Sequence, residues 1–314
     1  MPALIQLKNL RKQYGKKLVL KDINLEVNKG EIFGIIGMSG SGKTTLLNTL
    51  IGFLEPEEGD ILYRSKKEKA YKSIFKNSLE VRRKFGFATQ VPSFYPKLTI
   101  EENLDHFGSL YNLPEKTKQK NISNLLKMTG LASEKDQLAQ TLSGGMEKRL
   151  VIACSLIHNP DILILDEPTA NLDPVLREET WDLIKNIHKL GTTVIVASHL
   201  LEELEPVCQR IGILHNHSLI EIGTPDQLKG RYSKNEEIRL TLSGKHEQIQ
   251  QLMKKNSYIK KTKKEDNTLI FYTPTPVKAL YQVLNSIDNL NERIIKLEVS
   301  KPSLKEIFES IYRK

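Results

Sequence analysis

Residues 37–44 read GMSGSGKT and fit G-x-x-x-x-G-K-[ST], the pattern of a loop that grips phosphate. Glycines at positions 37, 40 and 42 let the chain curl until backbone N–H groups point at phosphate oxygens, and a helix-forming run from Thr45 to Leu50 adds the positive end of its dipole. Lys43 is placed to reach β- and γ-phosphates, and Thr44 offers a hydroxyl to the Mg2+ that bridges them. Gly37, Ser39, Gly40, Ser41, Gly42, Lys43, Thr44 and Thr45 are therefore the candidate ATP-binding residues of the loop. A second acidic component follows the apolar run Ile162 to Leu165, which ends in Asp166 and Glu167. Asp166 suits a water-mediated Mg2+ contact, leaving Glu167 as general base toward an attacking water. Alone, the pair could merely solvate a strand end; beside the phosphate loop the chemical reading prevails.

Leu142 to Gly145 reads LSGG and lies 20 residues before the strand that carries Asp166. With this tetrapeptide the chain resembles the ATP-binding subunits of ABC transporters over roughly residues 4–225. The resemblance implies an ATPase with ATP and Mg2+ as cofactors. Ser143 and the amides of Gly144 and Gly145 then contact the γ-phosphate held by an opposite subunit. It also implies Tyr14 as the aromatic under adenine, where packing of an edge sheet is the plainer alternative. Gln90 falls at a strand end as a contact for nucleotide and metal, or as a solvating group only. Asn171 to Asp173 follow the carboxylates. His199, within ASHL after Val194 to Ala197, can hydrogen-bond the γ-phosphate, so Glu167, His199 and Lys43 form the catalytic set, with Thr44, Gln90 and Asp166 serving the metal. Met146 stands where the family commonly has glutamine, which leaves the glycine backbone intact.

The segments IIKLEVSKPSLKEIFESI (Ile294 to Ile311) and TIEENLDHFGSLYNL (Thr99 to Leu113) look like those of ATPases serving ABC-2 type exporters. Export is the implied direction. The implied partners are membrane permease subunits and a second ATP-binding subunit, identical or not, with no nucleic acid expected. A different class, a soluble ABC ATPase acting on nucleic acid or ribosomes, is opposed by one phosphate loop and one LSGG about 100 residues apart in a single chain.

These groups need a scaffold, and the pattern supplies an α/β one. Leu18 to Val27 alternates as a half-exposed strand with one slip, opening an antiparallel edge sheet. Ile32 to Ile36, Ile162 to Leu165 and Val194 to Ala197 are short apolar runs suited to buried parallel strands, separated by helices such as Val175 to Leu190. Residues 92–157 have helical spacing and read as a helical insert. Gly223, Thr224, Pro225 and Asp226 lead into a charged helix end at Lys229 to Lys234, which sets a boundary near 230: an ATP-binding domain at 1–230 and a small α+β domain at 231–314. In the latter, a strand at Ile238 to Leu242, a helix facing inward with Ile249, Leu252 and Met253, and a hairpin of Tyr258 to Lys264 with Thr268 to Tyr272 are expected. A helix follows, begun by Thr275 and Pro276 with Val277, Leu280, Leu284 and Ile287 inward. A strand at Ile294 to Val299 and a helix capped by Ser303 complete a ferredoxin-like order.

Composition sets outer bounds. The 314 residues are 39% hydrophobic and 27% charged, the mix of a compact globular protein. No apolar stretch approaches the roughly 20 residues of a spanning helix, and Met1 to Leu10 lacks a secretory pattern. A cytoplasmic location, peripheral to the membrane through the permease, is expected. Cys154 and Cys208 have no ligand spacing and read as buried thiols. The +9 charge is compatible with nucleic acid, anionic lipid or phosphorylated ligands. It concentrates at Arg64, Lys66, Lys67, Lys69, Lys72, Lys76 and Arg82 to Lys84, and again at Lys254, Lys255, Lys260, Lys261, Lys263 and Lys264. Solvated faces are the plain reading and proximity to lipid headgroups the functional one.

Overall fold

The structure, a computed structural model, describes residues 3–64, 70–76, 83–232, 236–300 and 304–312. Lys66, Lys67, Lys69, Arg82, Lys234 and Ser303 lie outside the described residues. The chain divides into two compact units, residues 1–224 and 225–314.

In the first unit β1 (Ala3–Tyr14) and β2 (Lys17–Asn28) pair antiparallel, and with β4 (Glu58–Tyr63) and β5 (Lys72–Ser73) form a sheet in the order β2-β1-β4-β5. An irregularity in the pairing, where Leu20 to Ile23 of β2 faces Lys12 to Leu10 of β1, accounts for the slip in apolar period of β2. A second sheet, ordered β10-β9-β3-β8-β7-β6, carries the chemistry. It consists of β3 (Ile32–Ile36), β6 (Phe85–Ala88), β7 (Ile162–Asp166), β8 (Thr193–Ser198), β9 (Arg210–His215) and β10 (Ser218–Gly223). All neighbours are parallel except the hairpin β9–β10. Every residue of β3, β7 and β8 is buried, which is why these strands read as unbroken apolar runs.

Helices α1 (Lys43–Leu50) and α5 (Pro174–Lys189) cover the sheet. Asp173 caps α5 by accepting from the N–H groups of Val175 and Leu176, each at 3.0 Å, one residue from the expected start. The insert holds α2 (Ile100–Leu110), α3 (Glu115–Met128) and α4 (Gly144–Leu156). Thr99 and Glu102 form a capping box at the start of α2, and Asn121 Nδ2 donates to Ile157 O at 2.8 Å, tying α3 to the end of α4. A short α6 (Leu201–Leu204) follows β8. Both cysteines are buried and burial pushes their thiols up.

The second unit contains α7 (Pro225–Tyr232), β11 (Glu236–Leu242), α8 (His246–Lys254), β12 (Lys261–Glu265), β13 (Thr268–Thr273), α9 (Pro276–Asn289), β14 (Ile294–Ser300) and α10 (Leu304–Tyr312). Its antiparallel sheet runs β12-β13-β11-β14, which with the chain order is the ferredoxin-like arrangement. Four details differ from expectation. Leu252 is 48% exposed, because Ile249 and Met253, four residues apart, already line up over the sheet. The strand begins at Lys261 rather than Tyr258, since Asn256 Oδ1 accepts from Tyr258 N at 2.9 Å and holds a turn there. Helix α9 buries Ala279, Val283 and Ile287 and leaves Val277 67% exposed, small Ala279 permitting the close approach that large residues would block. Thr275 makes no side-chain cap, although Pro276 does open the helix.

Candidate nucleotide site

The parallel register sets Ile36 opposite Ser198 and Asp166 opposite Ala197. The carboxyl ends of β3, β8 and β7 therefore deliver Gly37, His199 and Glu167 side by side, where open α/β sheets place ligands. Gly40 and Gly42 take φ of 80° and 104°, the left-handed region only glycine enters cheaply. A Cβ at Gly37 would collide with the Ser41 hydroxyl and stand 2.9 Å from Leu214 O, so the loop closes tightly enough to aim its amides inward. Lys43 is 7% exposed; its ammonium donates to Gly37 O at 2.9 Å and Met38 O at 3.3 Å and lies 3.3 Å from Glu167 Oε1.

Thr44 Oγ1 donates to Asp166 Oδ2 at 2.8 Å. Burial pushes the Asp166 carboxyl up, the Thr44 hydroxyl holds it back, and the charge of Glu167 adds to the rise. Asp166 Oδ1 is buried with no hydrogen-bond partner, as is Ser41 Oγ. Adjacent strand residues normally face opposite sides, yet both carboxylates serve one crevice because Glu167 takes φ of 50°. A non-glycine residue pays on the order of 1 kcal/mol for that conformation, which marks a functional constraint. Glu167 Oε2 accepts from His199 N at 3.3 Å and from His199 Nδ1 at 2.8 Å, so Nδ1 carries the proton of that ring.

Tyr14 is 49% exposed and shares a cavity of roughly 270 Å3 with Gly40, Gly42, Lys43, Thr44 and Thr45, so its ring and the loop face one space. Gln90 lies two residues past β6 and is exposed; its carbonyl accepts from Lys148 Nζ at 2.8 Å, and no bond joins its side chain to Thr44 or Asp166. Ser143 caps α4 by accepting from Met146 N at 3.4 Å. Its neighbours Gly144 and Gly145 pack toward Leu172 and Leu176 and not toward the phosphate loop. The structure thus brings together the loop, Tyr14, Asp166, Glu167 and His199, and leaves the LSGG segment apart from them.

Two residues of this region carry no motif. Lys148, in α4, binds the backbone carbonyl of Gln90; burial pulls its ammonium down, against the charges of Glu147, Asp166 and Glu167. Glu203, in α6, accepts from the Thr169 hydroxyl and from Trp181 Nε1 at 3.2 Å and lies 3.5 Å from Arg177 Nη1. It links the segment after Glu167 to the segment after His199.

The residues fit a nucleotide with a hard divalent cation. Thr44 and Asp166 offer only oxygen, with one buried carboxylate oxygen unpartnered. Among the described residues no three His, Cys, Asp or Glu side chains cluster as a metal cage; such a cation takes most of its remaining ligands from phosphates and water.

Comparison with known proteins agrees with this geometry. The ABC transporter family matches residues 20–170, and the family described as ATP-binding protein DrrA1-3-like, C-terminal domain, matches residues 223–312. The chain is 36% identical over 244 residues to the linearmycin resistance ATP-binding protein of Bacillus subtilis, covering 78% of this chain and 76% of that protein. It is 36% identical over 242 residues to the bacitracin transport ATP-binding protein of Bacillus licheniformis, covering 77% and 76%. Among solved structures, a dimeric post-hydrolysis state of an ATP-binding cassette bound to ADP and Pi matches with a TM-score of 0.62 and 29% identity, covering 70% of this chain and 98% of that one.

Proposed function

The chain belongs to the ATP-binding proteins of ABC transporters, and from that membership we propose that it powers export through a separate membrane permease by closing and reopening a dimer around ATP. It binds ATP and is an ATPase. The observation that carries the proposal is the Lys43–Glu167–His199 contact set beside Thr44–Asp166 at the ends of three adjacent strands.

In this reading the loop amides and Lys43 hold the β- and γ-phosphates, and Tyr14 lies under adenine. Thr44 Oγ1, Gln90 and, through water, Asp166 would hold Mg2+, which would neutralise charge on the phosphates. Glu167, oriented by His199, takes a proton from the attacking water. Ser143, Gly144 and Gly145 serve the nucleotide of a second copy or close relative. Ser143 and Gly144 are exposed at the start of α4, whose dipole favours an anion, which supports that assignment.

The permease seat in this proposal is a cavity of roughly 240 Å3 lined by Phe53, Phe85, Phe87, Phe107 and Tyr111. Phe53, which lines it, is 73% exposed, so the cavity offers an aromatic side chain at the surface. Among the described residues no helix is long and apolar enough to cross a membrane, so the lipid-crossing path is assigned to the partner and this chain to the cytoplasmic face. The match to the DrrA1-3-like C-terminal domain and the resistance and transport roles named for the relatives support export.

Cross-linking tagged chain in membranes of its own host should capture an integral membrane protein of several spans, and Phe53→Glu should lower the yield at least about fivefold without changing ATP hydrolysis. Co-sedimentation with ribosomes at moderate salt, with no membrane partner captured, contradicts the proposal.

A further inference from the structure

The nucleotide cavity has a wall that no motif announces. Besides Tyr14, Lys17, Leu18, Val19 and the phosphate loop, it is lined by His217 from the turn between β9 and β10. His215 pairs with Ser218, so the turn is two residues long, Asn216 at φ 45° and His217 at φ 70°. Two-residue hairpins with both φ values positive strongly prefer glycine at the second position. Here an imidazole stands where glycine would cost nothing, and a residue kept at such a cost is a candidate for function.

The turn is fastened to β2 by three bonds. Lys21 N donates to His217 O at 2.8 Å, Ser218 Oγ donates to Lys21 O at 2.9 Å, and His217 Nδ1 lies 3.2 Å from Val19 O. A carbonyl only accepts, so Nδ1 carries the hydrogen and Nε2 of the neutral ring is an acceptor. Among the described residues no group bonds Nε2.

Val19 O fixes the height of the ring in the cavity. That oxygen is 3.1 Å from where a Cβ on Gly42 would stand, so an imidazole hung from it lies near the Gly42 end of the phosphate loop. A nucleotide with its base on Tyr14 and its phosphates at Lys43 has its sugar at that level. We propose that His217 is a ribose-binding residue, its Nε2 accepting a hydrogen bond from a ribose hydroxyl of the nucleotide. This assignment rests on the nucleotide-site reading given above and adds to it a contact for the sugar from the β9–β10 hairpin.

Isothermal titration of the full chain with MgADP, which is not hydrolysed, and with its 2′-deoxy and 3′-deoxy forms tests the contact. One neutral hydrogen bond predicts that His217→Gly weakens ADP binding about three- to tenfold. Removing the bonded hydroxyl from the ligand should cost wild type the same factor and cost the variant nothing. Glycine is favoured at φ 70°, so the variant should melt no lower than wild type; His217→Asn, which also tolerates that φ, is read in the same way should the glycine variant not fold. Wild-type ADP affinity in the variant overturns the proposal, as does a variant that still discriminates the deoxy ligands as wild type does. A loss that persists with both deoxy ligands but disappears with purine riboside diphosphate would move the contact to the base and also overturn it. If wild type fails to bind ADP at all, the nucleotide-site reading itself fails, an outcome distinct from these.

Discussion

Glu167 is held by two different requirements: its backbone takes φ 50°, and its carboxylate meets Lys43 on one oxygen and His199 on the other. Replacing it with glutamine keeps the size and an acceptor for Lys43 while removing the base. Glu167→Gln should therefore bind ATP within about twofold of wild type and hydrolyse it about 10² to 10⁴ times more slowly, the range for loss of a general base. Turnover near the wild-type rate in a phosphate-release assay contradicts the assignment. Lys43, Thr44, Asp166 and Glu167 were legible in the sequence because each stands in a contiguous pattern whose chemistry constrains its neighbours. Glu203 was not, since it sits among Glu202 and Glu205 and only folding singles it out against Thr169, Trp181 and Arg177. His217 was hidden for a related reason: its role depends on a turn conformation and on a strand about 200 residues earlier.

Between elements, the second unit has a charged fastening of its own. Arg239, on β11, contacts Glu237 of the same strand at 2.8 Å and Glu306 of α10 at 3.0 Å. Burial, followed by hydrogen bonding and repulsion from Glu306, pushes the Glu237 carboxyl up to about 7 against an opposing pull from Arg239. The same charges help burial push the nearby Tyr272 hydroxyl up to about 12. The unfolded chain releases the Glu237 proton near 4.5, so between 4.5 and about 7 the folded form binds more protons than the unfolded one. Stability from this group is full below pH 4.5 and is lost as pH rises to about 7. The melting temperature of Glu237→Gln minus that of wild type should therefore grow from pH 4.5 to 7, and a difference that stays constant over this window contradicts the reading. The sequence showed the alternation that makes β11 a strand but not this polar cluster on its other face. It misjudged the inner face of α9 for a comparable reason, because counting large apolar residues overlooks an alanine that lets a helix approach a sheet closely.

At the scale of the whole chain, the buried strands β3, β7 and β8 and the elements of the tail were readable from apolar runs and turn residues, and the ferredoxin-like order of the tail follows from them, whereas β4, β5, β9 and β10 were not read. The first strand was not, since its bulges and Asn9 at φ 49° break the alternation that would have announced it. Among the described residues one apolar core gathers around Phe33, Leu46 and Ile164 in the first unit and another around Leu240, Phe271 and Val283 in the second. Helix α7 packs with α10 within the second unit, so a cut after Thr224 is the clean one. We expect the fragment 1–224 to fold and bind MgADP with an affinity within about threefold of the full chain; a folded fragment that binds none contradicts a self-contained nucleotide domain.

In the proposed mechanism two chains share each ATP site, and mixing two inactive variants distinguishes this from a site held within one chain. Lys43→Ala removes the phosphate-binding charge, and Gly144→Asp sets a carboxylate where the γ-phosphate of the opposite chain is expected. The fold should tolerate the second change, because a Cβ at Gly144 meets only Leu172 Cδ2, at 4.0 Å. Each homodimer should be inactive, while the mixed dimer contains one site with both lesions and one with neither. ATPase rate against mixing ratio should rise from background to a maximum near equal amounts, and adding Glu167→Gln to the Gly144→Asp chain, which supplies the intact phosphate loop, should abolish the rise. A rate that stays at background at every ratio, with mixed dimers shown to form, would contradict the shared site.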